Sequence, residues 1–241
     1  MVPQSPPLRH YTSIPFEIFI AALSILPFFL LVYFYSALPD RVPLFMSLNG
    51  EVAEWARKSV ISVFRVPMMA VIIQIVCLLM KYGTIQSAVV PLEAGIEQAK
   101  LHEQSLHLNA RLWDWFRLSA AFKMSAESID TIFLSLDLRS LSRPTFIVSA
   151  IVSLLGAAGA LFYLYRLLVV KRKMKQKFGD VKLHQPVEGR HVYGGILYFN
   201  PSDSAFFSRR YIFNFANKWA WVFIACIIAY PLLVFLPRWT N

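Results

Sequence analysis

Residues 18 to 38 read IFIAALSILPFFLLVYFYSAL, an apolar run broken only by Ser24, Pro27 and Ser36. About 20 apolar residues rising 1.5 Å each cross a hydrocarbon core roughly 30 Å thick, so this stretch predicts a membrane span. It exceeds the length of a signal-peptide core and no small-residue cleavage site follows it, so the span is expected to be retained. Pro27 removes one backbone hydrogen bond inside the helix, and neighbouring helices must then serve the freed carbonyl.

Composition extends this reading to the whole chain. The 241 residues are 57% apolar and 16% charged, with a mean hydropathy of +0.52. That leaves too little polar surface for an ordinary soluble domain. Further spans are expected at residues 60 to 80, 145 to 170 and 219 to 237, giving an all-α integral membrane protein of four to five transmembrane helices in a single domain. The net charge of +10 does not call for nucleic acid, because Lys171, Arg172, Lys173, Lys175 and Lys177 cluster at one exit. The positive-inside rule explains them and marks that exit as cytoplasmic. Cys77 and Cys226 fall inside apolar runs and read as small core residues.

Residues 112 to 136 decide between four spans and five. The segment is long enough to cross but carries Asp114, Arg117, Lys123, Glu127 and Asp130. Asp114 and Arg117 stand at i, i+3 and Lys123 and Glu127 at i, i+4, so two pairs within the helix are expected. The segment either lies along the interface or crosses with its charged face against protein or water. Crossing places the N-terminus in the cytoplasm and the loop after residue 38 outside. The alternative strands Lys81, Lys100, Arg111, Arg117 and Lys123 together on the external side, so crossing breaks fewer charge rules. Lys123, Glu127 and Asp130 are the candidate intramembrane charges.

Other polar residues have ordinary uses. Arg65, one turn inside the second span, is expected to snorkel to the interface, and Gln74 to hydrogen-bond across helices. Ser149, Ser153, Gly156 and Ala160 form a small-residue stripe on which a helix backbone can approach closely. The helical, polar stretch 92 to 107 is expected outside the hydrocarbon. His102 and His107 are five residues apart and do not share a helical face, and His184 and His191 lack the partners a zinc site needs. No metal and no cofactor are expected. Nucleophile elbow, P-loop, dinucleotide fingerprint and zincin helix are all absent, so no enzyme is expected.

Two stretches carry a family resemblance. Tyr35, Leu38, Pro39, Asp40, Val42 and Pro43, then Asn49-Gly50-Glu51, Trp55 and Lys58, resemble the loop of an uncharacterised domain at the N-terminus of bacterial SdpI-type immunity and signalling proteins. Phe45 departs from that pattern, standing where the family usually has His. The stretch Glu51 to Lys58 is expected to open the next helix. Gly194, Gly195, Tyr198, Asn200, Pro201 and Asp203, followed by Asn214, Asn217, Trp219 and Trp221, resemble an uncharacterised C-terminal module of related membrane proteins. Strand-forming residues at 192 to 199 and 211 to 215 flank the turn at Asn200-Pro201, which predicts a small hairpin within the basic cytoplasmic segment 171 to 218. The resemblance implies a binding or immunity-type protein of the bacterial cytoplasmic membrane. The alternatives are an accessory subunit of a larger membrane complex and an element of a proton or ion path. Lipid and other membrane proteins are the expected partners.

Overall fold

The computed structural model describes residues 8–46, 52–86, 95–179, 192–193, 197–201 and 213–239. Five long helices dominate: α1 (Ile14–Phe34), α2 (Val60–Gln86), α3 (Ile96–Ser135), α4 (Arg139–Phe178) and α5 (Lys218–Trp239). Short 3-10 turns, Leu8–Tyr11 and Tyr35–Ala37, flank α1. Strands β1 (Arg41–Met46) and β2 (Val52–Arg57) pair antiparallel, as do the short β3 (Val192–Tyr193) and β4 (Leu197–Tyr198). By length and composition α1, α2, α4 and α5 qualify as membrane spans. The protein is therefore a multi-pass membrane protein.

The chain divides into two compact units. One comprises Met1–Ser13, Val76–Trp115 and Gly159–Ala225, and the other Ile14–Ile75, Phe116–Ala158 and Cys226–Asn241. In the second unit Leu31, Leu38, Val42, Val63 and Ile132 form a buried core. In the first, Leu112, Ala160 and Leu167 form one cluster, and Tyr11, Ile85, Leu106 and Ala110 another.

Within the second unit α3 runs beside α1 in the same direction. Arg117 meets Glu17, Ser125 donates to the Leu23 carbonyl at 2.6 Å, and Ile132 packs in one cluster with Leu31. Residues 117 to 132 of α3 thus lie alongside α1, although α3 is not itself among the four helices apolar enough to qualify as spans. The polar stretch before it is not a separate helix, because α3 is continuous from Ile96.

The small-residue stripe does pack helices. At Gly156 an added Cβ would sit 2.4 Å from the Ser119 Cβ, so α3 and α4 touch there within the second unit. In the first unit, a Cβ at Gly159 would lie 2.7 Å from the Trp115 ring. Both close approaches require the missing side chain.

Two expectations are corrected. The stretch from Glu51 to Lys58 does not open a helix: residues 52 to 57 alternate, with Ala56 turned into the core and Trp55 and Arg57 outward. Helix α2 starts only after Ser59, whose hydroxyl accepts from the Ser62 amide at 3.1 Å while the Ser59 amide donates to the Ser62 hydroxyl at 2.9 Å. This is a reciprocal cap with Ser in place of the usual Glu. At the C-terminal motif β3 pairs with β4 ahead of the expected turn at Asn200-Pro201, and Asn214 joins Tyr198 through a parallel bridge; residues 211 and 212 lie outside the described residues. The basic cluster forms the last two turns of α4.

Candidate functional site

Glu17, Gln74 and Arg117 form a matched polar cluster in the second unit. Arg117 is 2% exposed and lies on α3. Its two terminal nitrogens donate to both oxygens of Glu17 at 2.8 and 2.6 Å, a bidentate arrangement suited to the planar guanidinium. Its Nε donates to the Gln74 side-chain oxygen at 3.1 Å, and the Gln74 amide returns a bond to the Arg117 carbonyl at 3.0 Å. Gln74 is 14 residues past the start of α2 and 12 before its end, whereas Glu17 stands in the first turn of α1. Burying a guanidinium requires that it be paired.

The first unit holds its own buried pair. Lys81 is fully buried on α2 and donates to Asp114 on α3 at 2.6 Å. Asp114 and Arg117, expected to pair with each other, thus each take a partner on a different helix. The expected pair Lys123 and Glu127 does form, at 2.6 Å within α3. It does not face protein, however: the two side chains are 52% and 30% exposed. Asp130 is buried, and its Oδ1 has no hydrogen-bond partner among the described residues.

The N-terminal motif builds a docked hairpin in the second unit. Asp40 is exposed and its carbonyl accepts the Lys58 amide at 2.7 Å. Lys58 reaches the Leu38 carbonyl at 2.7 Å, with its ammonium 5.0 Å from the Tyr35 ring centre. Pro43 is buried opposite Trp55, which is exposed, and Pro39 is exposed. Arg65 does not snorkel. It is buried and donates to the Leu44 carbonyl, tying β1 to α2. Asn49 and Gly50 lie outside the described residues.

The C-terminal motif centres on Asn214, fully buried in the first unit. Its oxygen accepts the Asn200 amide and its nitrogen donates to the Asn200 carbonyl, both at 3.0 Å. The Asn200 side chain donates to the Tyr198 hydroxyl at 3.2 Å. Asn217 caps α5 by accepting the Trp219 amide at 3.0 Å, and the Trp221 indole donates to the Phe215 carbonyl at 3.0 Å. Trp219 and Trp221 are exposed, as is Pro201. Gly194, Gly195, His184 and His191 lie outside the described residues.

His10 and His107 are exposed, and His107 lies against the Tyr11 ring, 4.6 Å between centres. His102 is partly buried, and that burial pushes its pKa below the usual imidazole range. Among the described residues no group of three or more His, Cys, Asp or Glu is placed to hold a metal ion. No protein-family model, curated protein or solved structure matches the chain.

Glu17 is the member of the Arg117 cluster that the apolar pattern did not single out. It stands immediately before the run at residue 18 and 100 residues from its partner. No sequence signal joins the two, because the i−3 neighbour Asp114 offered Arg117 a nearer partner that the structure gives to Lys81.

Proposed function

We propose that this chain is a non-enzymatic membrane protein of the SdpI-like type, with a binding or immunity and signalling role in the bacterial cytoplasmic membrane. The observation that carries this reading is the hairpin of β1 and β2. Residues that resemble the family loop build a folded element, tied down by Lys58 and Arg65 and exposing Trp55. An exposed aromatic on a rigid support is the kind of anchor that binding surfaces use. Deletion of the protein should sensitise cells to a secreted peptide or to envelope stress while leaving respiration unchanged. Trp55→Ala should reproduce that phenotype with normal protein levels. A Trp55→Ala chain that protects fully removes the hairpin from the function.

The positive-inside rule puts the basic end of α4 in the cytoplasm, and a crossing α3 then puts the hairpin on the opposite side. Both native cysteines are buried, so single cysteines at Ser36 and Gln176, both exposed, report on topology cleanly. Labelling of both from one side rules out the five-span arrangement.

A second reading, an accessory subunit of a larger complex, draws on the wide apolar face of α4, where Leu154, Leu155, Leu161 and Tyr165 are exposed. Such a face suits a protein neighbour as well as lipid. A subunit would co-purify in fixed stoichiometry with a large complex after gentle extraction, and native mass spectrometry reads that directly.

A further inference from the structure

Lys123 and Glu127 pose a problem that their mutual bond does not solve. Both lie next to Ser125, which is bonded to Leu23, nine residues past the start of α1 and 11 before its end. Measured instead from the mid-helix contact of Arg117 with Gln74, Lys123 is six residues, or about 9 Å, from mid-depth. On either measure its backbone lies within the half-thickness of the hydrocarbon, about 15 Å. Yet the pair faces outward from the chain. Lys123 extends along the helix to Glu127 rather than away to an interface, so its charge is not rescued by snorkelling. Ionised groups at this depth face protein or water, not acyl chains.

We propose that this face of α3 is an intramembrane interface between two copies of the chain. The argument for a second copy is the charge pattern. Because Lys123 reaches Glu127 at 2.6 Å, an ammonium and a carboxylate lie side by side at nearly one height. A two-fold axis along the membrane normal then sets each ammonium beside the partner's carboxylate as well as its own, and the surface is complementary to itself. A partner presenting a single charge would be repelled by one member of the pair. The same face carries Ala120, small enough for a helix to approach, and the exposed Phe116, at positions i−3 and i−7 from Lys123.

The charges allow a test that separates association between copies from bonding within one. Full-length Lys123→Glu carries two acids on this face, and Glu127→Lys carries two bases. Single-molecule photobleaching in liposomes, over a range of protein densities, should show wild-type dimers. Either variant alone should lose association by more than about tenfold, as close interfacial charge pairs do when one sign is reversed. Mixing the two should restore dimers, each holding one copy of each variant. If a charge-reversed chain fails to fold, the neutral Lys123→Gln, Glu127→Gln chain must still lose association. The proposal is overturned by a wild-type chain that stays monomeric, by variants that dimerise as well alone as mixed, or by a neutral chain of wild-type affinity.

Discussion

Arg117 and Lys123 stand six residues apart on one helix, and each is held by a glutamate at 2.6 Å. The first is 2% exposed, receives its counter-charge from another helix and engages a third through Gln74. The second finds its partner one turn along its own helix and is half exposed. Equal distances therefore describe unequal interactions. What differs is what happens to the survivor when one partner is removed. Arg117 would be left desolvated, whereas Lys123 would remain on a surface whose surroundings can adapt.

The largest effect should come from Glu17→Gln, which leaves the Arg117 guanidinium buried without its carboxylate. Breaking a buried pair from one side costs about 3 kcal/mol or more, and a denaturation series in detergent should register it. Replacing Glu17 and Arg117 together by Leu removes the uncompensated charge and should recover most of that loss, to within about 1 kcal/mol of the parent once Gln74 is changed to Leu as well. A triple variant as unstable as Glu17→Gln would mean that the network does more than neutralise charge.

Steric intrusion in the same unit should rank next. Gly156→Ala sets a methyl group against Ser119, and overpacking of this kind costs about 1 to 3 kcal/mol. Ser119→Gly should relieve part of it, a coupling that a double-mutant cycle measures. The smallest effect belongs to Glu127→Gln in dilute detergent, where the chain is monomeric and the pair is hydrated. An exposed i, i+4 pair contributes only about 0.3 to 0.5 kcal/mol, so the melting curve should hardly move. A large shift there would erase the contrast with Arg117 and place Lys123 in a buried setting within one chain.

The helices were legible because their causes are local. The run at residues 18 to 38, the Gln74 side chain reaching across helices and the small stripe at Gly156 all follow from spacing and residue type, and the structure uses them as expected. The partner of Arg117 was not legible, since nothing near Glu17 encodes a residue 100 positions away. The hairpin was missed for a different reason. The stretch from Val52 to Arg57 contains Ala, Glu and Arg, good helix formers, and only its pairing with β1 and the burial of Ala56 turn it to strand. Arg65 was misread with it, because a snorkelling role presupposed that no carbonyl waited at Leu44. At the C-terminal stretch the strand formers and the turn residues were legible, but the reciprocal bonds of Asn200 and Asn214 depend on a parallel bridge that a simple hairpin does not contain.

The buried network also has an order in time. Glu17 and Gln74 are both synthesised before Arg117, so α1 and α2 can carry the complementary groups into the bilayer before the charged helix leaves the ribosome. A helix with this many ionised residues is a poor substrate for insertion by itself, at about 2.5 to 3.5 kcal/mol for each charge at its centre. Where α3 crosses, it is delivered third and meets Glu17 and Gln74 already in place. Presenting α3 to the insertion machinery with and without the first two helices should therefore give integration in the first case and failure in the second, and Glu17→Gln should shift the full chain toward failure.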